Sequence, residues 1–153
     1  MNSAHALLVA NAGATLALAG LIWTVQLVHY PAFRFVPPDQ FTAFEAFHQR
    51  QISLVVVPLM LVELATSAAL IVHRPAPLPA ASAVAGLVLV LAIWACTFAV
   101  QVPLHNRLAQ GFDRDAIDRL VSTNAWRTAA WTLRAALVLW ACYAAARAPE
   151  PPA

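Results

Sequence analysis

The sequence predicts an all-α integral membrane protein, a bundle of four transmembrane helices. Three observations carry that expectation. The 153 residues are 61% hydrophobic and only 10% charged, whereas soluble domains carry about 25% charged residues. Apolar stretches of roughly 20 residues recur, the length that crosses a bilayer core as helix. Short segments rich in proline or charge separate four such stretches. A chain of this length holds one domain, read as two helical hairpins over 1–75 and 76–148 with a disordered tail over 149–153.

The first span is expected over about residues 6–28. It lacks a basic segment before the apolar run, so it reads as a membrane span and not as a cleaved signal. Ala6, Ala10, Gly13, Ala17, Gly20 and Thr24 recur at spacings of four and three, a stripe that would let another helix approach closely. Gln26 and His29 leave this span on one face, and Pro31 closes it. A loop over 30–40 follows, with Asp39 as a candidate N-cap. The segment 39–51 is amphipathic and either lies at the interface or forms the first turns of the second span. That second span is expected over 52–72, kinked at Pro58.

Residues 73–79, HRPAPLP, make the clearest turn in the chain. The third span covers 80–102 without a charge. A long loop over 103–124 carries a short amphipathic helix near 113–121, and the fourth span covers 125–146. Moving the first half by 76 positions places His29 on His105, His48 on Asn124 and Gln51 on Arg127, the outline of a duplication. Every basic residue is arginine, and most lie on the side of the two long loops. The positive-inside rule then places those loops in the cytoplasm and both termini outside the cell (inner) membrane.

Several function classes fall away. A net charge of +2 without a dense basic patch gives no footprint for nucleic acid. No Gly-rich phosphate loop, GxSxG elbow or dinucleotide fingerprint is present. Cys96 and Cys142 fall at different depths along their helices and read as small buried hydrophobes, not as a disulfide.

The candidate chemistry gathers at the long-loop boundary and just inside it. Glu63 and Arg134 lie within spans at similar depth, where ionisable groups need a partner or a wet cavity. His29, His48 and His105 share one boundary and could gather round a metal with Glu45 or Asn106 nearby, or two of them round a haem, although no HxxxH, HExxH or CxxCH spacing is present. Trp23, Trp126 and Trp131 fall on the same side. They form either an interfacial belt or the wall of an aromatic ligand's cavity, with Gln26 and Gln101 at the same level.

Three stretches carry a family resemblance: Tyr30–Pro31 after the first span, Pro103–Leu104–His105–Asn106–Arg107–Leu108 after the third, and Asn124–Ala125–Trp126–Arg127 leading to Trp131 and Arg134. In these the chain resembles the anthrone-oxygenase-like family of small four-helix membrane proteins. The resemblance implies oxygenation of anthrones to anthraquinones and directs attention to His105, Asn106, Trp126 and Arg134. On that reading His105 is the general base, and Arg134 or Arg127 stabilises the enolate-type charge. Asn106 orients the substrate oxygen, and Glu63 positions Arg134. An activated carbanion reacts with dioxygen directly, so no cofactor is required. The alternative is a non-catalytic membrane protein that binds a small molecule, haem or metal, or serves as a partner subunit. A transport role would call for a homo-oligomer, since four helices alone enclose little.

Overall fold

The computed structural model describes residues 3–147, and the expected disordered tail over 149–153 lies outside them. Among the described residues helix is the only regular secondary structure, with four helices long and apolar enough to cross a membrane. They are α1 (Ser3–Phe35), α2 (Phe41–Val72), α3 (Ala80–Leu108) and α4 (Arg114–Ala146). Helix α1 packs against α2 and α4, and α3 packs against the same two, so α1 and α3 stand across the diagonal of the bundle. This is a multi-pass four-helix membrane bundle.

The distribution of polarity confirms the solvent it is built for. The outward face of α3 carries Val84, Val88, Leu91 and Phe98, each at least half exposed. Asn11, Thr15, Glu45, Glu63, Gln101, Asn124, Arg127 and Arg134 are buried instead. In water this inversion would be ruinous, whereas in lipid the polar groups must find one another inside the bundle. Apolar packing fills the space between them, with Leu18, Ile22, Phe33, Phe41, Met60, Ile93, Leu108, Leu120 and Trp131 in the main cluster.

The helices are longer than hydropathy alone indicates, and several expected boundaries are corrected. The segment 39–51 joins α2 as its first turns, because α2 is continuous from Phe41. Gln40, not Asp39, precedes that helix, and it makes no side-chain cap. The expected loop over 103–124 shrinks to five residues, since Val102–Leu108 continues α3 and α4 starts at Arg114 without a break. Hydropathy marks where apolar residues stop; helical hydrogen bonding continues past that point. Asp113 caps α4, accepting from the Ala116 amide at 3.0 Å and pairing with Arg107. The Ala116 amide and then Arg107 hold its carboxyl below the usual carboxylate range.

Both α1 and α3 contain a π-helical turn, at Val25–His29 and Thr97–Gln101. Each lies two residues before a proline, Pro31 and Pro103, and each ends on an i to i−5 bond: Tyr30 to Val25, and Val102 to Thr97. A proline cannot donate to the helical ladder, and the wider turn accommodates the interruption. The matched turns are 72 positions apart, so the structural likeness of the two hairpins runs at a different offset from the 76 of the sequence pattern.

The small-residue stripe on α1 also falls elsewhere than expected. Ala6, Ala10, Gly13, Ala17, Gly20 and Thr24 all lie on the exposed face. The buried face is set instead by Asn11 and Thr15, which the polar interior draws in. The close approach occurs at Gly86 on α3, where a methyl group would sit 2.6 Å from Arg134 Nη1. That guanidinium is pinned by several partners and cannot yield, so Gly86→Ala is expected to destabilise the fold by about 1–3 kcal/mol. A melting curve in detergent checks it against Gly13→Ala, which meets nothing within 4 Å and leaves the midpoint unchanged.

Candidate functional site

Two buried polar systems occupy the bundle. The first lies deep in the helices. Arg134 Nη2 donates to Asn11 Oδ1, Thr15 Oγ1 and Ser67 Oγ at 3.0–3.1 Å, and its Nε lies 3.4 Å from Glu63 Oε1. Thr15 Oγ1 also donates to Glu63 Oε1, and Trp131 Nε1 to Glu63 Oε2. Asn11 Nδ2 donates to Thr66 and Ser67. Helices α1, α2 and α4 thus meet at one satisfied ion pair, with Gly86 of α3 pressed against it.

The second system surrounds a cavity of ≈ 330 Å³ between α2 and α3, walled also by Tyr30 and Arg127. On α2 the spacing of Glu45, His48, Gln49, Ile52 and Val56 is that of one helical face. On α3 Gln101 and His105 are four apart and share the cavity wall. His105 Nδ1 lies 2.7 Å from Glu45 Oε1, and His105 Nε2 lies 3.0 Å from the Tyr30 hydroxyl. Glu45 is fully buried and is further fixed by Gln49 at 2.9 Å. A buried carboxylate on one ring nitrogen sets the tautomer and makes the other nitrogen a proton acceptor, here with the Tyr30 hydroxyl as donor.

Arg127 also lines the cavity. It is 6% exposed, donates from Nη1 to Asn124 Oδ1 at 3.2 Å, and stacks over Trp131 at 5.1 Å. It also interacts with the Tyr30 hydroxyl. Among the described residues it makes no ion pair with a carboxylate. Among the described residues the buried side-chain atoms without a hydrogen-bond partner are Glu45 Oε2, His48 Nε2, Trp94 Nε1, Gln101 Oε1 and Arg127 Nε. Four of these five residues line the one cavity, and the fifth, Glu45, holds its histidine. Orphaned buried groups are costly, and four of these residues also wall the same space, which makes it the candidate ligand site of the bundle.

The residues expected from sequence divide between these systems and the surface. His105, Arg127, Gln101 and Asn106 line the cavity, with Asn106 exposed at its edge. Arg134 and Glu63 do not line it; they belong to the deeper network. Trp131 lies between the two, beneath Arg127 and bonded to Glu63. Trp126 is 75% exposed and stands outside both. Trp23 is also exposed, donating to Thr132 at 3.1 Å. Gln26 accepts from Asn124 at 2.9 Å and so supports the residue that holds Arg127.

His29, His48 and His105 do come together, with ring centroids 4.7 and 5.1 Å apart in succession. His29 Nε2 meets His48 Nδ1 and the two His105 nitrogens meet Glu45 and Tyr30, and among the described residues no group of three or more His, Cys, Asp or Glu is arranged to hold a metal ion. Sequence reasoning missed Trp94 altogether, treated Glu45 only as a neighbour of the histidines, and saw Tyr30 only as part of a helix exit. Glu45 carried a usable signal, being three residues before His48 on a helical face. Comparisons with protein-family models, curated proteins and solved structures found no match.

Proposed function

We propose that this protein is a membrane oxidoreductase of the anthrone-oxygenase kind, which deprotonates a hydrophobic aromatic carbon acid and directs the carbanion to dioxygen. The observation that carries this reading is that the Glu45–His105 pair and Arg127, which has no carboxylate partner, meet at the Tyr30 hydroxyl on the wall of a largely apolar cavity. A base and a cation converging on one point of a water-poor space are what carbanion formation requires.

In this mechanism the substrate C–H takes the place of the Tyr30 hydroxyl at His105 Nε2, and that nitrogen accepts the proton. Tyr30 turns its hydrogen bond to the substrate oxygen, where Arg127 offsets the developing enolate charge. Glu45 holds the imidazolium. The carbanion carbon bonds to dioxygen and gives a hydroperoxide. Loss of the second C–H proton then breaks the O–O bond, leaving a ketone and one water. The substrate carbon is oxidised and dioxygen is reduced, with no further reductant. The mouth lies between the exposed Val57, Phe98 and Val102, so an apolar substrate reaches the cavity from the bilayer side.

An unreactive hydroxylated anthraquinone tests the cation directly. It is expected to raise the melting temperature of nanodisc-embedded protein, and Arg127→Met to weaken its binding about tenfold or more, as loss of a charge-assisted hydrogen bond does. Undiminished binding by folded Arg127→Met would remove Arg127 from the role.

A further inference from the structure

The cavity's two margins differ, and the difference bears on protons. One margin opens between α2 and α3 past Val57, Phe98 and Val102, a surface suited to lipid and closed to charge. The other is closed by His48, which lines both the cavity and a recess of ≈ 260 Å³ on the far side of α2. His29 and Gln51 line that recess together with Phe44 and Phe47. His29 Nε2 lies 2.8 Å from His48 Nδ1, and His48 Nε2 is buried without a partner. The His48 ring stands 5.1 Å from that of His105 and 4.7 Å from that of His29. The ionisable groups facing the pair are His105, Glu45 and Tyr30.

We propose that His48 and His29 form a proton relay joining the cavity to the outer recess. His105 lies behind a largely apolar mouth. The peroxide oxygens take up both substrate protons as water, so turnover releases no net proton; the pair instead lets His105 exchange protons with the outer recess and so be neutral when substrate arrives. The His105 and His48 rings stand 5.1 Å apart with His48 Nε2 enclosed, and a turn of the His48 ring toward the cavity brings that nitrogen to a bridging water. As Nε2 takes a proton, His48 gives up the proton on Nδ1 to His29 Nε2. Half-buried His29 then releases the proton on its Nδ1 into the recess. One proton enters and one leaves, no electrons move, and reorientation of the two rings resets the pair. Imidazole suits this because each ring has one donor and one acceptor near neutrality.

The relay sets the protonation state in which His105 meets substrate and so rests on the catalytic reading, but it can be tested without turnover. With ¹⁵N-histidine protein in bilayers, NMR measures exchange of the His105 and His48 ring protons with water in the absence of substrate. His29→Phe is expected to slow exchange at both rings by roughly an order of magnitude, on the scale of a lost acid–base step. His29→Ala leaves the recess open, and added free imidazole is expected to restore the rate. If His29→Phe does not fold, the alanine variant with and without imidazole decides alone. Exchange unchanged in a folded His29 variant, or slowed exchange that imidazole does not restore, would overturn the relay. A wild-type protein that exchanges as expected yet converts no anthrone would instead count against the catalytic reading alone.

Discussion

His105→Ala in nanodiscs is expected to lower anthrone turnover by about 10²–10⁴-fold while the protein stays folded. The side chain is partly exposed, and its removal leaves a cavity margin that water or lipid can fill. Its two contacts, Glu45 at 2.7 Å and Tyr30 at 3.0 Å, serve orientation and basicity and bear little on packing. Glu45→Gln separates these roles. Glutamine keeps the shape but holds the histidine less firmly and does not offset an imidazolium, so kcat is expected to fall with little change in KM. Glu45 is fully buried, so its thermal midpoint must be measured alongside turnover. If His105→Ala turns over at the wild-type rate, the base has been assigned to the wrong residue.

Arg134→Leu is expected to act in the opposite way, through stability. It strands the fully buried Glu63 carboxylate and removes the donors that reach Asn11, Thr15 and Ser67. Breaking a buried pair from one side costs about 3–5 kcal/mol, because the remaining charge is left uncompensated. Expression and melting temperature in detergent should both fall. Changing both partners, Glu63→Leu with Arg134→Leu, should recover part of the loss, since lipid-facing helices tolerate apolar contact where they do not tolerate a lone charge. A folded, thermally normal but inactive Arg134→Leu would place this residue in the chemistry.

Hydropathy made the four spans plain, because apolar runs of membrane-crossing length have few other uses. Their ends were harder to place. The polar stretches 41–51 and 114–124 remain helical, and composition marks the change of solvent without marking the end of the hydrogen-bond ladder. The Glu63–Arg134 pair was legible because two ionisable residues at matched depth in lipid have few alternatives. The Glu45–His105 contact was not, since it joins positions 60 apart and depends on α2 starting as early as Phe41. Helix α1 carries small residues on more than one face, and only the pull of Glu63 and Arg134 on Asn11 and Thr15 decides which face turns inward. Trp94 resembles any interfacial tryptophan in sequence, and its unpartnered indole nitrogen is visible only once the cavity is formed.

The measurement that bears most directly on the central claim is dioxygen uptake by wild-type protein in nanodiscs supplied with a hydroxylated anthrone, with empty nanodiscs as the reference for uncatalysed oxidation. The account predicts quinone formation well above that reference, with one dioxygen consumed per quinone formed. A rate equal to that of empty nanodiscs, from protein that still binds the anthraquinone, would contradict catalysis and leave a binding protein.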